Sequence, residues 1–590
     1  MQNQSKFSDT CIYDRVVLSQ QCQIKRTIQI SLLCILVGII AGLGAAGFKY
    51  LIEFFHNLFF SGQLSFQHNR GGLISAWGPF VIVVPAIGIT IAQWITAKWA
   101  PEAKGHGVPE VMVAVAKNQG KIRPVVALVK SFASAITIGS GGSVGKEGPI
   151  VQIGASFGST LGQTLKLSSR ETIILVGAGV AGGISATFNA PIGGIMFALE
   201  LILPEYSIMT IMPLVVSSII ATSVGAVFMG SHPAFIVPEY TMVSSYELIF
   251  YVVLGLLAGL LSVVFIKTVY GMEDFFTGLK IPATLKAIIG GLLIGAIGYA
   301  SLQVFGNYHV FGVGYDFIDL VLDNQITALS VTATLIVMKI IANALTLASG
   351  GSGGIFAPSL FLGGALGATV GIIVNFLFPE TTGPISAYAI VGMAAIVSGV
   401  TGGVLTSIIM VFEMTRNYAI MLPLLLSGEL SYFIARLIYG ETMYTQKLTR
   451  RGLHIQMDKR IPTMKTLSVG EIMKKDLISC NPSDTTEKVW NIMHEHGLGL
   501  LPVIEGNTVL GTIGYIELHE SKRDDQKPVS SLMRKIDISI PCTANLYDAL
   551  QVMEEEQSDI LIVKDTQETV VGFVTANRIL LNYLQKKRLS

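Results

Sequence analysis

Charge is scarce in this chain. Of its 590 residues only 13% are Asp, Glu, Lys or Arg, while 51% are apolar, and the mean hydropathy is +0.61. A water-soluble globule of this size needs no such balance for its core, so the bulk solvent is lipid. A basic surplus is missing too: 40 Lys and Arg against 39 Asp and Glu leave a formal charge of +1, which argues against a nucleic-acid partner. The five cysteines (Cys11, Cys22, Cys34, Cys480, Cys542) have neither metal-ligand nor disulfide spacing, which points to a reducing compartment and no staples. No His/Cys/Asp/Glu grouping has metal spacing either.

What is present is a succession of apolar runs. The first, from about Thr27 to Phe55, is too long for a signal-peptide core and reads as a retained span behind a polar tail. The second, Gly78 to Thr96, leads into Lys98, Lys104, Lys117, Lys121, Arg123 and Lys130 against only Glu102 and Glu110. Positive-inside bias places that loop and the N-terminal tail in the cytoplasm. Apolar segments continue to about Tyr439, many of them broken by Gly and Pro, and a basic stretch between Met443 and Met464 marks an exit into cytoplasm. From Leu467 onward charged residues alternate with short Val/Ile/Leu runs, as in a soluble domain. The expected organisation is a cytoplasmic tail at 1–27, a transmembrane domain at 28–450, a linker at 451–466 and two small modules at 467–522 and 528–586. The expected location is a multi-pass one in a plasma or bacterial inner membrane, with both termini cytoplasmic.

The membrane part carries an internal repeat. Val129 to Gly162 laid over Met338 to Gly371 matches at 14 of 34 positions without a gap, including Lys130/Lys339, Thr137/Thr346, Ser143/Ser352, Gly145/Gly354 and Pro149/Pro358. Each copy continues with Gly at every fourth position: Gly154, Gly158 and Gly162 in one, Gly363, Gly367 and Gly371 in the other. Such a small-xxx-small stripe lets helices approach closely in lipid. The stretches Gly139 to Pro149 and Ser349 to Pro358 cannot be helix interiors. Non-helical backbone at membrane depth survives only where it is buried or lines a cavity. Pro in each copy marks a helix start, so free N–H groups and the positive end of a helix dipole face the break, a setting that attracts anions.

The tail repeats as well. Met473/Met533, Ile478/Ile538, Met493/Met553 and Val503/Val563 share one offset, which gives two α/β modules of about 60 residues, each too small to build a core alone.

Gly105-His106-Gly107-Val108-Pro109-Glu110, Gly145-Lys146-Glu147-Gly148-Pro149, Gly354-Ile355-Phe356-Ala357-Pro358 and Tyr444 resemble the four anion-site elements of the CLC chloride channels and transporters, in family order. The tail is similar to a pair of CBS (cystathionine-β-synthase type) modules. The resemblance implies an all-α polytopic membrane domain with broken re-entrant helices in an inverted repeat, followed by a cytoplasmic α/β CBS pair set against the membrane domain. It implies a homodimer in the lipid bilayer with one pathway per subunit for chloride and other small anions. It also implies that the amides of Ile355 and Phe356 and the hydroxyl of Tyr444 hold the central anion, and that Glu147 gates it. An ionised carboxylate competes for the same N–H groups as a halide, and protonation removes that competition.

Three departures from the family pattern stand out. His106 replaces the common Ser: its imidazole either donates to the anion or turns away. Lys146 replaces Arg beside the gate, keeping the charge without the planar fork. Leu201 occupies the place of the second, proton-relaying Glu of the exchangers. The expected activity is accordingly a voltage- or proton-gated chloride channel, passive or weakly coupled, with chloride/proton exchange along a route that bypasses Leu201 as the alternative. A CBS-bearing cation transporter would need several carboxylates along its path, and an intramembrane hydrolase would need a nucleophile with a positioned partner; neither is present in the motifs. Gly145-Lys146 fails as a phosphate loop, since Ser140 stands where Gly is required and Glu147 where Ser or Thr is. Glu200 and Glu413 read as structural acids bonded to helix ends or loop amides, and His494 and His496 as solvent-facing. The ribose-binding Thr-x-x-Asp pattern of CBS modules is degraded to Gly514-Tyr515-Ile516-Glu517 and Thr575-Ala576-Asn577-Arg578. Thr575 and Arg578 are the residues through which an adenine nucleotide would bind; no other cofactor is expected.

Overall fold

The computed structural model describes residues 5–66, 74–203, 207–235, 237, 244–453, 464, 467–475, 478–496, 499–506, 508–520, 526–534, 539–556, 558–565 and 569–589, without the side chains of 5–27, 208, 209, 516, 520 and 584–589. The expected tail 1–27 and most of the expected linker 451–466 lie outside the fully described residues. The chain divides into two compact units, Met1–Met457 and Asp458–Ser590.

Among the described residues, sixteen helices of the first unit form two series of eight. The first is α1 (Ser5–Ser61), α2 (Val84–Trp99), α3 (Val108–Lys117), α4 (Val125–Gly139), α5 (Glu147–Thr164), α6 (Ser169–Phe188), α7 (Pro191–Phe197, continued as a π turn over Ala198–Ile202) and α8 (Ile208–Met229). The second is α9 (Glu247–Gly278), α10 (Ala283–Phe305), α11 (Tyr315–Leu322), α12 (Leu329–Ala348), α13 (Phe356–Leu377), α14 (Ile385–Thr401), α15 (Val404–Thr415) and α16 (Met421–Tyr439). A short α17 (Met443–Thr449) follows. Neighbours correspond: α5 packs on α6 as α13 does on α14, α1 on α8 as α9 on α16, and α1 on α4 as α9 on α12. The repeat seen over 34 residues of sequence therefore extends to the whole unit. Among the described residues, nine helical segments are long and apolar enough to span a bilayer, while α4, α14 and α15 are apolar but shorter.

The glycine stripes act as the sequence predicts. A Cβ on Gly158 would lie 2.0 Å from the Leu175 carbonyl of α6, and one on Gly367 would lie 2.0 Å from the Tyr388 carbonyl of α14. The helix backbones thus touch where any side chain would hold them apart.

The second unit is two interlocked α/β modules. In the first, β1 (Leu500–Glu505) pairs antiparallel with β2 (Thr508–Gly514). In the second, β3 (Ser539–Pro541) runs parallel to β4 (Ile560–Lys564), which pairs antiparallel with β5 (Val570–Thr575). Each module lends a bridge to the other: Lys474 pairs with Phe573 on β5, and Arg534 with Thr512 on β2. That exchange explains how modules of this size sustain two apolar cores, one around Val469, Leu546 and Leu561 and one around Val489, Leu501 and Val529. His494 and His496 are exposed on the helix Thr486–His496.

Gly158→Ala and Gly367→Ala should each destabilise the membrane unit by roughly 1–3 kcal/mol through overpacking. Gly47→Ala, on a stretch of α1 with nothing within 4 Å of its added Cβ, should not. Thermal unfolding of the detergent-solubilised variants measures the difference.

Candidate functional site

The two breaks in the helical structure meet in the interior of the first unit, and equivalent residues pair with each other. Gly145 N–H donates to the Gly354 carbonyl at 2.8 Å and Gly354 N–H to the Gly145 carbonyl at 2.7 Å. Ser143 N–H donates to Thr346 Oγ1 at 3.1 Å and Ser352 N–H to Thr137 Oγ1 at 3.2 Å. Asn343 Nδ2 reaches the Ser143 carbonyl at 2.7 Å, while its counterpart Ser134 lies 3.0 Å from Ser352 Oγ. These reciprocal bonds define a local pseudo-two-fold axis. They also satisfy backbone that neither lipid nor helix would satisfy.

A third loop joins them. Gly105 bridges Ser352 in parallel. Gly105 and Gly107 both have positive φ, +78° and +87°, and Gly107 caps α3. Here the absence of a side chain is required, because a Cβ on Gly107 would lie 2.6 Å from the Gly148 carbonyl, and one on Gly148 would lie 1.9 Å from the His106 carbonyl. The loop is held by Lys130, wholly buried, whose ammonium donates to the carbonyls of Ala103 (2.9 Å) and Gly105 (2.7 Å) and to Ser352 Oγ (2.9 Å). Its equivalent Lys339 donates at 3.1 Å to the carbonyls of Val310 and Gly312. It thereby holds the turn Gly312-Val313-Gly314, whose glycines also have positive φ. Gly312-Val313-Gly314 is thus the second-half counterpart of Gly105-His106-Gly107.

The named motif residues converge on this knot. Pro109 lies in the first turn of α3; Gly148 and Pro149 lie in the first turn of α5, and Pro358 in that of α13. Ile355 caps α13 and Phe356 opens it, both fully buried, with the Phe356 ring 6.0 Å from that of Phe188. The first-turn amides of such a helix have no acceptor within it. Tyr444 is buried on α17, near enough to Glu147 for the two groups to interact electrostatically. Tyr270 orients α17 by donating its hydroxyl to the Met443 carbonyl.

Glu147 is the first residue of α5 and is 1% exposed. Its Oε1 accepts from the Tyr315 hydroxyl at 3.2 Å. Its Oε2 lies over the break, 2.0 Å from where a Cβ of Gly145 would be and 3.1 Å from one on Gly354. The amides of Ala357 and of Glu147 itself face the carboxyl, although Oε2 completes no hydrogen bond. Lys146, the residue before α5, places its ammonium 5.5 Å from the Phe188 ring and 5.2 Å from that of Tyr315.

The three departures from the family pattern have defined surroundings. His106 is buried, its Nδ1 has no hydrogen-bond partner, and its ring lies edge-on to Tyr270 at 6.4 Å. Leu201 is buried in the π turn after α7, packed where a Cβ of Gly403 would be. Glu200 beside it accepts from the amides of Leu405 and Thr406 at the start of α15, and Glu413 on α15 accepts from the amides of Ile192 and Gly193 at the start of α7. Both acids are the structural helix-end ligands that the sequence suggested, exchanged between the halves. Sequence reasoning missed Tyr315 and the Gly312–Gly314 turn. The signal was present as a second Gly-x-Gly, displaced by two residues from the offset of the repeat.

In the second unit, Thr575 and Arg578 line a cavity of about 1160 Å³ together with Lys474, His496 and Asp559. Arg578 Nε donates to the Ile472 carbonyl. Glu517 is engaged by the Gly514 amide and by Arg534.

With this geometry in view, the comparisons with known proteins are direct. The sequence model of the voltage-gated chloride channel family matches residues 88–436, and that of the CBS domain matches 469–520 and 529–584. The chain is 33% identical over 367 residues to a putative chloride channel protein ClcB-like of Ralstonia nicotianae, covering 62% of this chain and 83% of that one. It is 31% identical over 431 residues to the H(+)/Cl(-) exchange transporter ClcA of Vibrio vulnificus, covering 72% and 90%. Among solved structures, a slow cyanobacterial Cl-/H+ antiporter superposes with a TM-score of 0.63 at 23% identity over 72% of this chain and 97% of its own. A eukaryotic CLC transporter superposes with a TM-score of 0.59 at 19% identity over 93% and 98%. The knotted breaks, the paired halves and the matched family model lead to one conclusion: this chain belongs to the CLC family of chloride-transporting membrane proteins and carries a C-terminal CBS domain pair.

Proposed function

We propose that this protein exchanges chloride for protons through a pathway centred on Glu147. The observation that carries the reading is the placement of that carboxylate. It lies in the break, against the start of α13, where an anion would meet the amides of Ile355 and Phe356 and the hydroxyl of Tyr444. Ionised, Glu147 occupies the place of a halide; protonated, it releases it. One group that binds a proton and competes with chloride ties the two ions together. Relatives at about 30% identity named as H(+)/Cl(-) exchange transporters support coupling.

The channel reading expected from sequence has one specific observation behind it. Leu201, buried in the protein interior, offers no proton-binding atom where a relay carboxylate would lower the barrier. Exchange therefore requires a proton route, through water, that does not use residue 201. His106, with its unpartnered Nδ1, is a candidate donor to the central anion.

For the CBS pair we propose a cytoplasmic stabilising role with weak or no nucleotide binding. Arg578 has no acceptor for ribose hydroxyls and donates to backbone, and Glu517 is already engaged by the Gly514 amide and Arg534.

Glu147→Gln mimics the protonated acid, so anion flux should stay high while its pH dependence flattens; a variant with wild-type pH dependence removes Glu147 as the gate. In proteoliposomes, an imposed chloride gradient should drive protons uphill. Chloride movement without uphill protons would instead assign an uncoupled channel. Calorimetry on segment 463–590 should find ATP, ADP and AMP binding only at millimolar levels or not at all, and micromolar affinity would overturn this reading and make Thr575 and Arg578 the first residues to vary.

A further inference from the structure

Tyr315 is the one side chain among the described residues that hydrogen-bonds Glu147, through Oε1, while Oε2 lies over the break. It is the first residue of α11, directly after Gly314, whose φ of +84° sets the chain direction. The turn before it is fastened by Lys339 through the Val310 and Gly312 carbonyls. The ring packs edge-on against Phe235, with centroids 5.2 Å apart, and carries the Lys146 ammonium at 5.2 Å. Its other flank lines a vestibule of about 260 Å³ shared with Lys49, Glu53, Lys146, His309 and Asp316. The hydroxyl is therefore held by fixed neighbours at the boundary between the vestibule and the buried carboxylate.

We propose that Tyr315 is a positioning residue for the gate, whose hydroxyl holds the ionised Glu147 carboxylate in the break and so helps to set the pH at which the pathway opens. The proposal rests on the reading of Glu147 as the gate. The pseudo-two-fold accounts for its fixed place: the Gly-x-Gly turn that carries His106 in the first half recurs as Gly312-Val313-Gly314 in the second, and Tyr315 follows that turn directly as the first residue of α11.

Among the described residues, the charged and titratable groups around the carboxylate are few. Lys146 adjoins it on the same element, with Lys49 and Glu53 of α1 behind Lys146. Tyr444 faces it from α17, while α13 contributes backbone amides only. Asp319 of α11 acts on Tyr315 from one turn further along. None of these replaces a hydroxyl donor on Oε1. A hydrogen bond made to the charged form favours that form, so its loss shifts the equilibrium toward the protonated acid.

The test measures chloride efflux against pH in proteoliposomes for the full-length wild type, Tyr315→Phe, Glu147→Gln and the double variant. Tyr315→Phe keeps the ring that Phe235 and Lys146 pack against. It should move the pH of half-maximal flux upward by roughly half to one pH unit, the size of one net hydrogen bond. Its maximal flux at acid pH should remain near wild type, which also reports correct folding. Adding Tyr315→Phe to Glu147→Gln should change nothing further. If Glu147→Gln is flat but Tyr315→Phe keeps the wild-type midpoint, or moves it downward, the positioning role is refuted while the gate stands. If Glu147→Gln keeps the wild-type pH dependence, the gate reading itself fails. Tyr315→Gln, which retains a donor, should lie between wild type and Tyr315→Phe; a midpoint beyond that of Tyr315→Phe would also refute the role of the hydroxyl.

Discussion

Everything in the membrane unit depends on how two stretches of non-helical backbone are satisfied where lipid offers no hydrogen bonds. The solution is mutual: Gly145 and Gly354 exchange amide and carbonyl, and across the pseudo-two-fold the amides of Ser143 and Ser352 donate to the hydroxyls of Thr346 and Thr137. Each half is incomplete alone, since an unsatisfied amide in hydrocarbon costs several kcal/mol, on the order of what one unpaired polar group loses on leaving water. The pairing leaves the starts of α5 and α13 facing the break, with their first-turn amides outside the helical ladder. That two helix starts face one break is thus a by-product of the way the halves are joined.

Two buried lysines make that arrangement rigid. Lys130 donates to two loop carbonyls and to Ser352 Oγ, and Lys339 donates to two loop carbonyls with the Phe361 ring 4.9 Å from its ammonium, so both buried amines are compensated while they hold the two Gly-x-Gly turns. Glu200 and Glu413 form a second exchanged pair, each binding the first amides of a helix in the other half. An acid at a helix N-terminus is favoured by the dipole as well as by the bonds. These four ionisable groups are therefore structural. Glu147 differs in having one oxygen without a completed hydrogen bond.

Much of this was legible in the sequence. The repeat, the glycine stripes and the helix starts at Pro149 and Pro358 each follow from a local rule, and they located the break. The Gly312–Gly314 turn was not legible, because 25 residues separate Gly105 from Lys130 while 27 separate Gly312 from Lys339. A gap-free offset therefore loses the match before reaching it. The role of Tyr315 was hidden for a different reason: 168 residues separate it from Glu147, and no periodicity within either segment encodes that contact.

The sequence by itself determined the lipid environment, the two equivalent halves, the helix breaks and the paired tail modules, because charge scarcity, glycine spacing and repeat offsets are local properties of the chain. Only the tertiary structure decided which residues complete one another across the pseudo-two-fold: Gly145 with Gly354, Glu200 with α15, Glu413 with α7 and Tyr315 with Glu147. Those partners lie between 168 and 221 residues apart. Hydrogen bonds over such separations exist only once helix packing has brought the two halves together.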